Sequence, residues 1–379
     1  VWFSVRRGIR RLDCAPPSAM LSLVTTALLA QHSIEVKDGA LRLVHVSDTH
    51  YHPNQLSCSD VPKHSPHPCT HANTTNFLKS VMAVETPDMV AYTGDIIDGG
   101  SVVPKHAMDG LYGIAIDAKV PWAASLGNHD EESSLSREEV VSYISGLSGT
   151  TTVHGPVAGS PGNFYVDVVN GSKTAMARLV FFDSRIDHVH EMINDAQLAW
   201  FKSLGETLPQ LPTLAFYHIP LHEYKDAVAA KVPMSGQMNE PICNDGPNPH
   251  VFPTLKAGGV VAGFCGHDHT NDFCVKGEGV QLCYEGSPGF TAYGKCFNDT
   301  SCVARRVRVT ELQLTAAGDA LQHVRSWKRV DGGGATAAAS RTDDEVLWSA
   351  SGHTAAVVKE EDNRRPHNGA DVGRRLDQP

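Results

Sequence analysis

The sequence predicts an α/β fold, and three observations carry that prediction. Short apolar runs rich in β-branched and aromatic residues alternate with helix-like stretches and polar loops from about Leu41 to Trp327. Five of the runs end directly in a cluster of His, Asp or Asn. Hydrophobic content is 41% and charged content 20%, the balance of a globular chain.

The elements follow in chain order. "LRLVHVS" reads as a buried strand and leads into "DTH" at 48–50. A long loop, 51–71, comes next, followed by a helix over "TTNFLKSVMAVE" at 74–85. "PDMVAYT" leads into "GDIID" at 94–98, and "VPWAASL" into "GNHD" at 127–130. A second helix covers "LSREEVVSYISGL" at 135–147, where Ser136 and Glu139 have the spacing of a capping box. "PTLAFY" leads into "HIP" at 218–220, and "GVVAGFC" into "GHDH" at 266–269. Ligands of open α/β sheets bind beyond the carboxyl ends of the strands, so five such clusters can converge on one crevice.

The domain spans 41–329, between a leader at 1–40 and a tail at 330–379 that lacks apolar periodicity and reads as mostly disordered. Arg6, Arg7, Arg10 and Arg11 precede the apolar stretch 19–30, the order of a signal peptide cleaved near Ala30; an organellar presequence is the alternative. That stretch is too short for a membrane span, and no later segment is long enough. Without Cys14 eight cysteines remain, in local pairs Cys58/Cys69, Cys274/Cys283 and Cys296/Cys302, with Cys243 and Cys265 left over. None has the CxxC spacing of a zinc knuckle. Sequons occur at Asn73, Asn170 and Asn298, and a secreted or vacuolar location is expected.

A formal net charge of −10 argues against nucleic acid as a partner. The strand-end clusters offer Asp48, His50, Asp95, Asn128, His218, His267 and His269, an oxygen and nitrogen set without thiolate. Seven ligands are too many for one tetrahedral ion; they suit two ions, of Fe, Zn or Mn, about 3.5–4 Å apart with a bridging carboxylate. Such a pair acidifies a bound water and clamps an in-line displacement at phosphorus, so the expected substrate is a phosphate ester. His129 stands beside Asn128 and points elsewhere, which makes it the candidate general acid, with Asp98 to orient it.

Together, "DTH", "GDIID", "GNHD", "HIP" and "GHDH" resemble the signature of the calcineurin-like metallophosphoesterase superfamily. Stretches such as "GNHDEESSLSREEVV", "GHDHTNDFC" and "LCYEGSPGFTAYGK" resemble its purple-acid-phosphatase-related group, which includes the plant purple acid phosphatase 29-type proteins. The resemblance implies a four-layer fold, a central β-sandwich flanked by helices. It implies one metal held by Asp48, His50, Asp95 and His269 and another by Asp95, Asn128, His218 and His267, with Asp95 bridging. The position that carries the colour-giving Tyr in purple acid phosphatases is Asp98 here, so no purple colour is expected.

A phosphomonoesterase is the leading expectation, with a phosphodiesterase or a non-catalytic binding scaffold as alternatives. His52, Arg185, His222 and Tyr293 are candidate substrate contacts. Arg305, Arg306 and Arg308 lie on a strand-like run and read as an exposed strand face.

Overall fold

A computed structural model describes residues 33–63, 69–184, 192–244, 246–332 and 339–352. In strand β2 (Ala40–Val46) every residue is buried, and the alternation of a strand decides where each side chain goes. Leu41 and Leu43 join an apolar layer between two sheets, while Val44 and Val46 join a second layer beneath helices. A strand buried on both faces shows no polar alternation, and its two polar residues are satisfied inside, Arg42 by Glu85 and Glu311 and His45 by Glu285 and Thr310.

One sheet has six strands in the order β14-β13-β12-β2-β3-β4, with β3 at Met89–Thr93, β4 at Trp122–Ser125, β12 at Arg306–Leu314, β13 at Leu321–Val330 and β14 at Ser340–Ser349. The other has eight, in the order β1-β5-β6-β7-β9-β11-β10-β8. These are β1 (Ser33–Glu35), β5 (Phe164–Val169), β6 (Ala175–Phe181), β7 (Thr213–Phe216), β8 (Met234–Ser235), β9 (Val260–Cys265), β10 (Cys274–Gly277) and β11 (Val280–Tyr284). Helices α1 (Ala72–Glu85), α2 (Pro104–Asp117) and α3 (Arg137–Ser145) cover the six-stranded sheet. Helices α4 (Asp195–Thr207), α5 (His222–Ala229) and α6 (Val251–Ala257) cover the eight-stranded one. The result is the expected order of layers, helices on both outer faces of a β-sandwich.

Two features aim the strand ends. Strands β2, β3 and β4 run parallel, and so do β6, β7, β9 and β11, so their carboxyl ends lie together. Between the sheets Phe164, Phe181, Phe216 and Phe264 form a stacked ladder with ring spacings of 4.8, 4.8 and 5.4 Å across β5, β6, β7 and β9. Each such ring contributes about 1.5–3 kcal/mol by burial, and the ladder fixes β7 beside β9. Helix α3 begins with the expected box: Ser136 accepts from the Glu139 N–H while Glu139 accepts from the Ser136 N–H.

Three sequence expectations need correction. Strand β14 falls in the stretch expected to be disordered; it is an edge strand with Leu347 buried, tied to β13 by Arg325–Asp344 and Lys328–Asp343 pairs. A backbone ladder to β13, these ion pairs and Leu347 hold it, and its burial shows no regular alternation, so its pattern is silent in the sequence. Strand β1 lies inside the expected leader, with Ile34 buried; residues 1–32 and 353–379 lie outside the described residues. Arg305, Arg306 and Arg308 are buried, not exposed. Arg306 pairs with Asp272 at 2.6 Å, and Arg308 donates to the carbonyls of Tyr284 and Asp272. A guanidinium can enter a core when its donors meet loop carbonyls and carboxylates in this way.

Disulfides join Cys58–Cys69, Cys274–Cys283 and Cys296–Cys302; of the two cysteines left over in the sequence, Cys243 is exposed and Cys265 buried. Among the described residues no helix is long and apolar enough to cross a membrane.

Candidate metal centre

The two sheets present different chemistry to one crevice. Asp48 and His50 follow β2, Asp95 follows β3, and Asn128 and His129 follow β4. His218 follows β7, and His267 and His269 follow β9. The seven residues meet in two groups, Asp48–His50–His269 and Asp95–His218–His267, with Asn128 Oδ1 3.1 Å from His267 Nδ1. The groups touch: His218 Nε2 lies 3.1 Å from Asp95 Oδ2 and 3.7 Å from Asp48 Oδ1, and His50 Nε2 lies 3.5 Å from Asp95 Oδ2.

Main-chain conformation aims the oxygen donors. Asp48, His50 and Asp95 have φ of 54°, 39° and 51°, in the left-handed region that ordinary residues avoid. Asp130 holds the turns that require this. Its carboxylate accepts from the N–H groups of Asp95 (2.9 Å), Ile96 (3.0 Å) and Gly127 (2.7 Å), joining the loops after β3 and β4. At Gly127 a Cβ would overlap the Asp95 carboxylate, so no larger residue fits while that carboxylate stays in place.

Carbonyl oxygens aim the imidazoles. His218 Nδ1 faces the Thr93 carbonyl at 2.9 Å, and His269 Nδ1 faces the Tyr293 carbonyl at 3.1 Å. A carbonyl only accepts, so each Nδ1 carries the hydrogen and each Nε2, in the neutral ring, offers its lone pair to the crevice. The Tyr293 ring stacks on His269 at 3.7 Å between centroids, and Arg305 anchors the same Tyr293 carbonyl at 2.9 Å.

These residues fit a cation. His218 Nε2 is buried, and only the Asp95 and Asp48 carboxylates, at 3.1 and 3.7 Å, approach it among the described residues. His50 Nε2 and His269 Nε2 face each other at 3.1 Å, although the second already offers a lone pair. Burial pushes the Asp48 carboxyl well up, with the neighbouring Asp95 adding to it. Burial also disfavours a charged His218, but Asp95 and Asp48 outweigh it and hold the ring above its ordinary value. Two buried carboxylates thus lean on an imidazole for a positive charge, the situation a bound metal ion relieves.

His129 is placed differently, with its side chain 39% exposed at the rim. Burial works against a charged ring, but Asp95 and a hydrogen bond to Glu132 outweigh it and raise the pKa. The expected partner is Asp98, yet Nδ1 faces Glu132 Oε2, while Asp98 accepts from the Gly100 N–H at 2.7 Å. Glu132 lies three residues on, within one turn of the chain, a local spacing that could have found it. Asp130 was also legible as the last residue of "GNHD" but carries no ligand role, so pattern alone did not single it out. Of the candidate substrate contacts, His222 is bound to the Gly246 carbonyl at 2.8 Å, Tyr293 packs on His269, and Arg185 lies outside the described residues.

The chain is similar to several known proteins. The Calcineurin-like phosphoesterase family matches residues 41–271. "Probable inactive purple acid phosphatase 14" of Arabidopsis thaliana is 33% identical over 82% of the chain and 85% of its own length. "Phosphatase DCR2" of Saccharomyces cerevisiae is 28% identical over 80% of the chain and 56% of its own length. A dimetal phosphatase from Danio rerio shares the fold, with a TM-score of 0.54 at 15% identity over 83% of the chain and all of the fish protein.

Proposed function

Because the chain belongs to the calcineurin-like phosphoesterase family, we propose that it is a phosphatase that hydrolyses phosphate monoesters with two bound metal ions. Asp48, His50, Asp95 and His269 would hold one ion, and Asp95, Asn128, His218 and His267 the other. Ions there, of Zn, Mn or Fe, would supply Lewis acidity and a water whose pKa falls to about 7. The observation that supports the shared role of Asp95 is its Oδ2, which lies within 3.5 Å of an imidazole nitrogen from each group.

The protein's own part in the chemistry rests with His129. Glu132 occupies Nδ1, so the ring's other N–H is the one that protonates the leaving oxygen. A positioned acid of this kind contributes about a hundred- to ten-thousandfold. Asp98 has no contact with His129 here, and Glu132 takes the orienting role instead. Asp98 also stands where a tyrosinate would give colour, so the loaded protein should lack the purple tyrosinate-to-iron band. The plant relative carries "inactive" in its name; the complete donor set and His129 support an active chain here. Three disulfides are consistent with folding in an oxidising compartment, and we place the protein in the secretory pathway.

The test compares p-nitrophenyl phosphate with bis(p-nitrophenyl) phosphate after loading with Mn, Zn or Fe. Faster monoester turnover supports the proposal. Preference for the diester makes the protein a phosphodiesterase, and no turnover with both ions bound makes it a binding scaffold.

A further inference from the structure

The three sequons differ sharply in the structure. Asn73 sits half-buried in the first turn of α1, its Oδ1 accepting from the Thr70 N–H at 3.0 Å, with Thr74 beside it fully buried. Asn170 lies in the turn between β5 and β6, where its Nδ2 donates to the Gly318 carbonyl at 2.9 Å. A sugar on that nitrogen would break the contact. Of the three, only Asn298 is exposed, on the loop closed by Cys296–Cys302.

We propose that Asn298 carries an N-linked glycan. Its Oδ1 accepts from the Thr300 N–H (2.9 Å), the Thr300 hydroxyl (3.0 Å) and the Ser301 N–H (2.9 Å). The sequon is therefore folded into an Asx turn, with the Thr hydroxyl polarising the acceptor amide. Nδ2 makes no hydrogen bond among the described residues and stands in solvent. In the transfer, Nδ2 attacks C1 of an oligosaccharide on a lipid diphosphate. The N–C bond forms, the C1–O bond breaks, the lipid diphosphate leaves with the electron pair, and the amide proton passes to a base of the transferase. A second feature fits: Phe297, next in line, is 59% exposed. A bulky polar glycan beside it would shield an aromatic ring that otherwise faces water. A main-chain hydrogen bond from the Lys63 N–H to the Asp299 carbonyl, at 3.0 Å, ties the loop to residue 63.

The test is expression of the full chain behind a secretion leader in a eukaryotic host. The secreted protein is then treated with peptide N-glycosidase in ¹⁸O water and its peptides are mass-mapped. The heavy-oxygen label should appear at Asn298 in most molecules and at Asn73 and Asn170 in few. Thr300→Ala and Asn298→Gln should each abolish the Asn298 label and remove the gel shift on deglycosylation. A secreted chain unlabelled at Asn298, or labelled mainly at Asn73 or Asn170, overturns the proposal.

Discussion

The two sheets hold their halves of the candidate metal centre by different means. On the six-stranded side, short Asp and Asn side chains can reach the crevice only if the main chain aims them, so Asp48 and Asp95 sit at positive φ and Asp130 ties two loops together. On the eight-stranded side, longer imidazoles are aimed through their second nitrogen by the carbonyls of Thr93 and Tyr293. Backbone strain concentrates on the first side and ring orientation on the second, although His267, at φ 75°, shares the strain. Damage to the oxygen side should therefore cost fold and metal together, whereas damage to the imidazole side should cost metal alone.

The largest effect is expected where the two sides meet. Asp95→Ala removes the shared carboxylate, and both metal content and phosphatase activity should fall to background in elemental analysis and a p-nitrophenyl phosphate assay. Next comes His129→Ala, which serves chemistry rather than holding. It should keep its metals and lose about a hundred- to ten-thousandfold in turnover on esters with poor leaving groups. Retained turnover there would remove His129 from the mechanism.

Smaller changes separate the two sides. Asp130→Ala leaves the N–H groups of Asp95, Ile96 and Gly127 without their acceptor, each such buried group costing about 1–3 kcal/mol. Its melting temperature and its metal content should drop together. Tyr293→Ala keeps the carbonyl but loses the stack on His269. It should melt as the parent does and bind metal about 10- to 100-fold more weakly, while Tyr293→Phe keeps near-parental affinity. An effect on stability rather than on metal lies behind the site, at Asp272. Burial would raise this carboxyl, but Arg306 and Lys328 outweigh it and hold it below its ordinary value. A depressed carboxylate stabilises above the unfolded pKa of about 3.9 and loses that contribution as pH falls through its folded value. The parent's stability should therefore drop below about pH 4, and an Asp272→Asn variant, less stable at neutral pH, should show a flatter curve there.

Much of this was readable because buried parallel strands leave largely apolar runs, and the residues just past "LRLVHVS" or "GVVAGFC" must lie at a strand end. The disulfide pairs were readable from their short spacings, and α3 from its capping box. Strand β14 was not, because it is an edge strand with one buried apolar residue, Leu347, and its other side chains lie in ion pairs or at the surface. The buried arginines were misread because only the fold brings the carbonyls of Tyr293 and Tyr284 to Arg305 and Arg308. The partner of His129 was misassigned because Asp98 and Glu132 are equally reasonable in sequence, and only the path of the chain decides between them.

The most direct test is a metal titration of the folded, stripped protein, followed by elemental analysis and a calorimetric melt. Two ions should bind per chain, each raising the melting temperature, and Asp95→Ala should bind neither. A folded parent that saturates at one ion, or an Asp95→Ala variant that still binds two, would contradict the shared-carboxylate centre.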